Sequence, residues 1–130
     1  MQEILVAFDV DGTLRDNTIT DRIVANERIR TILILLSGMK NTKIMIWSGG
    51  GERYARQVAA ALAVEQYVDV YGDKGYGGYD EDGRPIFHTD LRPDIAFDDI
   101  RECTLGAINL IVDEKGFTPG YVPPELRRQT

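Results

Sequence analysis

Residues 4–14 carry the sequence Ile4-Leu5-Val6-Ala7-Phe8-Asp9-Val10-Asp11-Gly12-Thr13-Leu14. The first five residues are apolar, which is typical of a buried β-strand, and two aspartates follow close behind. Side chains alternate between the two faces of a strand, so Asp9 and Asp11 leave the same side, about 7 Å apart along the chain. Two carboxylates that converge at a strand end suit phosphoryl transfer, in which one is the nucleophile and the other moves protons.

Short apolar segments rich in Val and Ile recur along the chain, and amphipathic segments separate the first of them. The predicted strands are 4–8, 43–47, 67–70, 95–97 and 107–112, and the predicted helices are 21–37 and 52–64. Strands that are apolar throughout suit a parallel sheet covered on both faces, and their alternation with helices indicates crossover connections. We therefore predict an α/β fold, a Rossmann-like three-layer sandwich with a mainly parallel central sheet.

The length of the chain predicts one domain. Its 130 residues are 43% hydrophobic, enough for a single core and too few for two. We place the catalytic domain at 1–112. Within it, 71–90 is rich in Gly, Asp and Tyr and is expected to be an irregular loop or a small hairpin around the turn Asp82-Gly83. The proline-containing segment 113–130 is predicted to be an extended or partly disordered tail.

Charge and cysteine content narrow the class of protein. The net charge is -6, from 21 acidic and 15 basic residues, which disfavours a broad grip on nucleic acid. The single cysteine, Cys103, cannot form an intrachain disulfide, so a reducing compartment is expected. There is neither an apolar stretch of membrane-spanning length nor a basic signal start. We expect a cytoplasmic protein without a membrane partner, and a homo-oligomer remains open.

A second polar signal, Ser48-Gly49-Gly50-Gly51, lies between a predicted strand and a predicted helix. A hydroxyl group and unpaired backbone N–H groups at a helix start can bind an anion such as phosphate. A helix cap followed by a tight glycine turn explains the same residues equally well.

The third signal is the pair Asp98-Asp99, which follows the apolar strand 95–97. Ligands of open parallel sheets gather at the carboxyl ends of the strands, so this pair is expected to meet Asp9, Asp11 and Ser48 there. Clustered carboxylates repel one another, and a cation relieves that repulsion. All-oxygen ligands favour Mg²⁺ and make zinc improbable.

The fourth requirement is a cation that steadies phosphate charge. Lys74 follows the third predicted strand, and Arg92 is its rival. Position alone favours Lys74 only moderately, because either side chain could be a solvated surface charge.

These four signals, in this order over roughly residues 4–112, resemble the motifs of the haloacid dehalogenase-like (HAD) phosphohydrolase superfamily. The resemblance implies that Asp9 attacks phosphorus to form an aspartyl-phosphate, and that Asp11 protonates the leaving group and then activates water. It also implies that Ser48, Gly49 and Lys74 hold the phosphoryl oxygens, with Thr13 bracing the nucleophile loop at the phosphate. Mg²⁺ would be bound by Asp9, by Asp11 through its backbone carbonyl, and by Asp98, with Asp99 in support.

The chain departs from that family in lacking room for a large cap domain. A capless member suits a macromolecular or extended phosphorylated substrate, although a small one remains possible. The compact first motif is similar to that of polynucleotide phosphatase domains, and five arginines could line a groove for nucleic acid: Arg53, Arg56, Arg84, Arg92 and Arg101. The acidic balance argues against such a partner.

Two other classes of function stay open at this point. One is a phosphoacceptor signalling domain, and the other is a catalytically silent module that binds phosphate or Mg²⁺. A further alternative concerns Tyr71, Tyr76 and Tyr79, which could form a stacking surface for a ring, although loop packing is the simpler expectation.

Overall fold

The computed structural model of the chain describes residues 2–100, 104–113 and 116–120. These residues contain eight strands and two α-helices. The strands are β1 Ile4–Asp9, β2 Thr42–Ser48, β3 Val70–Asp73, β4 Tyr76–Tyr79, β5 Pro85–Phe87, β6 Ile95–Asp98, β7 Ile108–Asp113 and β8 Gly116–Pro119. The helices are α1 Glu27–Ser37 and α2 Glu52–Ala61, and a single 3₁₀ turn, Glu65–Tyr67, follows α2.

Six strands form one sheet in the order β3-β2-β1-β6-β7-β8. The first five are parallel to one another, and β8 runs antiparallel to β7 at the edge. The predicted α/β class with a mainly parallel sheet is confirmed. The strand order reverses at β1. From β1 the chain adds β2 and β3 on one side, and later adds β6, β7 and β8 on the other side of β1.

The alternation of side chains along the strands separates two packed faces. Val6 and Phe8 of β1 lie in one apolar cluster with buried residues of both α1 and α2. Ala7 lies in a second cluster with Met45 and Trp47 of β2. Both helices therefore cover the same face of the sheet. The described residues place no helix on the second face, so the predicted third layer is not confirmed.

The first helix starts later than its apolar spacing predicts. It begins at Glu27 rather than at residue 21, after an N-cap at Asn26. The preceding residues instead pair with the loop that follows β1, where Asp16 N–H donates to Val24 O (2.8 Å) and Asn26 N–H donates to Leu14 O (2.8 Å). The apolar residues of 21–26 thus pack against that loop, which the sequence pattern could not distinguish from a helix face.

The third strand is also displaced from its predicted position. Helix α2 ends at Ala61 rather than at residue 64, Ala63 adopts a positive φ of 56°, and the 3₁₀ turn then includes Tyr67, the residue predicted to start the strand. The strand forms at Val70–Asp73, where it pairs with β2 from Met45↔Val70 to Ser48↔Asp73. As a result, Lys74 directly follows the strand at the carboxyl edge of the sheet.

The excursion between β3 and β6 contains a hairpin in which β4 and β5 pair antiparallel, with Tyr76 opposite Phe87 and Tyr79 opposite Pro85. The turn residues Asp82 and Gly83 lie between the two strands. The C-terminal segment is more regular than predicted, because Gly116–Pro119 pairs with β7. The rest of the predicted tail beyond residue 120, and Cys103, lie outside the described residues.

Candidate active site

The site lies where β1 and β6 end side by side. Phe8 pairs with Phe97 in the sheet, and each strand finishes one residue later, at Asp9 and Asp98 respectively. Both aspartates are buried, with 6% and 1% of their surface exposed. Because the chain leaves β1 and β6 toward opposite sides, this is the switch point at which open α/β sheets bind ligands.

A buried lysine joins the two carboxylates. The ammonium of Lys74 donates to Asp9 Oδ1 (2.7 Å) and to Asp98 Oδ2 (2.5 Å), and only 2% of the lysine is exposed. Its Nζ also lies 5.8 Å from the centre of the Trp47 ring and 5.3 Å from that of Phe87, within reach of cation–π attraction. The side chain is thus held in one place by charge and by packing.

The surroundings of these three side chains favour the charged form of Lys74 and disfavour the charged form of Asp9. Burial lowers the pKa of Lys74, but the negative charges of Asp9 and Asp98 outweigh burial and raise that pKa above its ordinary value. Burial raises the pKa of Asp9 well above its usual range, the charge of Asp98 raises it further, and Lys74 opposes both. One ammonium therefore does not compensate two buried carboxylates.

Asp99 adds a third carboxylate. One oxygen from each of Asp9, Asp98 and Asp99 lies within 4.8 Å of the other two, and among the described residues this is the one such group. Burial raises the pKa of Asp99, and the charge of Asp98 contributes to that rise. An all-oxygen cluster with uncompensated negative charge fits a hard divalent cation such as Mg²⁺.

Glycine at position 12 makes room for the third carboxylate. Gly12 has a φ of +80°, which favours glycine, and a Cβ added there would overlap the Asp99 side chain. The glycine of the first motif therefore has a packing role that the sequence did not reveal.

The carboxylate of Asp11 lies outside the group of possible metal ligands. It is half exposed, accepts a hydrogen bond from the Tyr54 hydroxyl at Oδ1 (2.6 Å) and pairs with Arg15 Nη1 (3.6 Å). Arg15 in turn donates to the Tyr54 hydroxyl (2.8 Å). Only the backbone carbonyl of Asp11, the atom implied by the family resemblance, is left as a metal donor at this residue.

Tyr54 and Arg15 were not predicted as site residues. The sole hint was the four-residue spacing between Asp11 and Arg15, and nothing in the sequence of the second helix marks Tyr54 as a partner of the first motif. Burial raises the pKa of Tyr54, and its hydrogen bond to Asp11 adds to that rise.

Ser48 ends β2, the strand next to β1, and is buried at this edge. Its hydroxyl oxygen accepts a hydrogen bond from Gly50 N–H (2.9 Å), and its carbonyl accepts from Gly51 N–H (3.2 Å) and from Lys74 N–H (3.1 Å). The tight turn is present, but the residue that caps α2 is Gly51 rather than Ser48. Ser48 keeps its hydroxyl proton available for a ligand.

The two remaining predicted site residues, Thr13 and Arg92, lie in different parts of the molecule. Thr13 is fully buried and donates its hydroxyl proton to Asp9 Oδ2 (3.2 Å), so it braces the carboxylate. Arg92 lies elsewhere, with Nη1 3.5 Å from the carbonyl of Thr104 in a different cavity. Of the two candidate cations, only Lys74 belongs to the carboxylate cluster.

A cavity of about 400 Å³ opens onto these groups, and Asp9, Asp11, Ser48, Gly49 and Lys74 all line it. A neighbouring cavity of about 490 Å³ lies beyond Asp99. That second cavity is lined by loop residues 12, 15–18 and 25–27 and lacks the lysine and the serine, so the first is the candidate active site.

No protein-family model, curated protein or solved structure matches this chain. Among the described residues, no helix has the length and apolar character needed to cross a bilayer. Any function proposed for the chain therefore rests on the chemistry of the site.

Proposed function

We propose that this protein is a Mg²⁺-dependent phosphomonoester hydrolase of the HAD-like type, with Asp9 as its nucleophile. One observation carries the proposal. A buried lysine is hydrogen-bonded to two aspartates at adjacent strand ends, in a cavity that Asp11 and Ser48 also line.

The first chemical step transfers the phosphoryl group to the protein. A carboxylate oxygen of Asp9 forms a bond to phosphorus, the bond from phosphorus to the ester oxygen breaks, and Asp11 in its acid form gives a proton to the departing oxygen. Asp11 is suited to this role because it lines the cavity and is partly open to solvent, so it can exchange protons.

The second step regenerates the enzyme. Asp11, now a carboxylate, accepts a proton from water, the water oxygen bonds to phosphorus, and the bond between Asp9 and phosphorus breaks to release inorganic phosphate. Tyr54 holds the Asp11 carboxylate through a 2.6 Å hydrogen bond and so limits the positions from which it can act.

Positive charge and hydrogen-bond donors hold the phosphoryl oxygens. An ammonium has three N–H donors, and Lys74 uses two of them on Asp9 and Asp98, which leaves one for the substrate. The Ser48 hydroxyl is a second donor. When bound by Asp9, Asp98, Asp99 and the Asp11 carbonyl, Mg²⁺ would supply further charge that offsets the phosphoryl group.

A phosphoacceptor signalling domain is the second candidate, since it also combines an α/β fold with aspartates, Mg²⁺, a hydroxyl residue and a lysine. In such a domain the acidic pair comes early and the phosphorylated aspartate follows a later strand. Here Asp9 and Asp11 come first and the adjacent pair Asp98-Asp99 comes last, which favours the hydrolase.

The test is hydrolysis of 4-nitrophenyl phosphate with Mg²⁺ and with EDTA, for the native protein and for Asp9→Asn and Asp11→Asn. Asp90→Asn is the matched control, because Asp90 is an exposed carboxylate outside the cavity. We expect Mg²⁺-dependent turnover that both active-site variants abolish and the control keeps. No turnover on this ester, on a metabolite panel or on a 3'-phosphorylated oligonucleotide would contradict the proposal, and a stable phosphoprotein would favour signalling.

A further inference from the structure

The candidate active site has an aromatic wall, which is formed by four residues of the β4–β5 hairpin. The hairpin residues Tyr76, Tyr79, Pro85 and Phe87 line the same cavity as Asp9 and Lys74. Tyr76 is 46% exposed and Tyr79 is 67% exposed, so neither is packed as the sequence led us to expect. The cavity therefore has one polar end and one aromatic side.

The geometry of the rings leaves aromatic surface accessible. Tyr76 and Tyr79 meet edge to face, with centroids 5.8 Å apart and an interplanar angle of 81°, and Phe87 lies 6.2 Å from Tyr76 at 51°. In an edge-to-face pair, neither ring covers the other completely. A planar group that enters the cavity can thus contact a tyrosine face.

The aromatic wall begins beside the serine–glycine loop and extends away from it. A Cβ added at Gly49 would lie 3.3 Å from the Cβ of Tyr76, so the base of the wall adjoins the proposed phosphate position. Tyr79 is three residues further along β4, and its ring centre lies 5.8 Å from that of Tyr76. The Phe87 ring centre lies 6.2 Å from that of Tyr76 and 5.3 Å from Lys74 Nζ, so aromatic surface adjoins the proposed phosphate position.

The charge of the described residues that line the cavity disfavours a polyanion as the substrate. Among the described residues that line the cavity, Lys74 is the one cation and none is an arginine. Arg56, one of the arginines considered for a nucleic-acid groove, instead pairs with Glu52 and lies over the Tyr71 ring. A polynucleotide needs several phosphate contacts, whereas this cavity offers one phosphate-binding end.

We propose that the substrate is a nucleoside monophosphate, whose base stacks on the tyrosines of the β4–β5 hairpin while its phosphate lies at Asp9 and Lys74. This inference rests on the proposed function, since the same cavity performs the chemistry. Its volume of about 400 Å³ falls within the range of small-molecule sites.

The test compares kcat/KM for adenosine 5'-monophosphate and ribose 5-phosphate, which differ by the base alone. Base–aromatic stacking predicts an advantage of about tenfold to hundredfold for the nucleotide. Tyr79→Ala should remove most of that ratio through KM, while Tyr79→Phe, which keeps the ring, should retain it. Leu35→Ala, which truncates another exposed apolar side chain on α1, is the control and should leave the ratio unchanged.

Two further substrates test whether a ring at another position, or a polynucleotide, is used as well as the mononucleotide. 4-Nitrophenyl phosphate has its ring directly on the ester oxygen and should not depend on Tyr79. A 3'-phosphorylated oligonucleotide should be poorer than the mononucleotide. Equal kcat/KM for nucleotide and sugar phosphate, equal losses on both in Tyr79→Ala, or preference for the oligonucleotide would each overturn the inference.

If no ester is hydrolysed, the proposed hydrolase function is wrong. The base-stacking site is then tested separately by measuring ligand binding. Calorimetric titration of Asp9→Asn with each of the two ligands would then be compared with the same titration of Asp9→Asn/Tyr79→Ala. Tighter binding of the nucleotide that depends on Tyr79 would keep the base-stacking site without the hydrolase, and equal binding would overturn it.

Discussion

Replacing Asp99 with asparagine should stabilise the metal-free protein. Asp99 contributes the third carboxylate within 4.8 Å of Asp9 and Asp98, and it makes no ion pair with Lys74. At that distance two unit charges repel by about 3.5 kcal/mol at an effective dielectric constant of 20. Lys74 offsets part of this repulsion, and solvent at the half-buried Asp99 screens more, so we expect a net gain of about 1 kcal/mol.

Thermal unfolding by circular dichroism measures this effect. For a domain of this size, a gain of about 1 kcal/mol corresponds to a rise in Tm of about 3–5 °C. Adding Mg²⁺ should reverse the order of stability, because native protein at ten times its Kd gains about 1.4 kcal/mol while the weakened site of Asp99→Asn gains less. Asp90→Asn should match the native protein under both conditions.

The dependence of this stabilisation on pH follows from the raised pKa of Asp99. Since the folded pKa exceeds the unfolded one, the native protein loses stability as pH rises from the ordinary value of 3.8 through the folded pKa. The advantage of Asp99→Asn should therefore be present at pH 7 and should vanish below about pH 3.8. An unchanged or lower Tm for Asp99→Asn in EDTA at pH 7 would refute the reasoning.

Three other predictions concern the candidate active site. Lys74→Met leaves two buried carboxylates without their cation and should lower the free energy of unfolding by about 3–5 kcal/mol, measured with urea in EDTA; a variant as stable as the native protein would contradict this. Tyr54→Phe removes the hydrogen bond to Asp11 and should lower kcat about tenfold with little change in KM, so equal kcat values would exclude a role for Tyr54 in positioning Asp11. Because the pKa of Asp9 is raised well above its ordinary value of 3.8, Mg²⁺ displaces protons, and its affinity measured by calorimetry should increase as pH rises above 3.8; an affinity that does not change with pH would exclude this coupling.

Local signals were sufficient for the part of the site that lies on strand ends. The apolar runs before Asp9, Ser48 and Asp98 identify strands, and parallel strands bring their carboxyl ends to one edge. The position of these residues thus follows from the pattern of apolar residues and from the parallel sheet that this pattern predicts. The structure brings all three to one edge of the sheet, where Asp9 and Ser48 line the cavity and Asp98 is buried.

Contacts that depend on register or on loops could not be predicted in this way. Lys74 reaches Asp9 across 65 positions only because β3 forms at Val70–Asp73, three residues later than its apolar pattern indicated. Had the strand occupied 67–70, Lys74 would have lain several residues beyond its end. Likewise, the link from Tyr54 to Asp11 joins α2 to the loop after β1 through tertiary packing, which carries no local signature.

The exposure of Tyr76 and Tyr79 was missed for a related reason. Aromatic residues among glycines are compatible either with loop packing or with an open binding wall, and only the placement of the hairpin beside Gly49 distinguishes the two. The register of β4 with β5 therefore decides a property that composition leaves open.

The central claim is that Asp9 carries the phosphoryl group, and trapping the intermediate tests it most directly. The native protein is mixed with substrate and Mg²⁺, quenched in acid within its first turnover, and digested for mass mapping of the phosphate. We expect an acyl-phosphate on Asp9, and no phosphorylated peptide in Asp9→Asn. Phosphate on Ser48, or turnover that persists in Asp9→Asn, would contradict it.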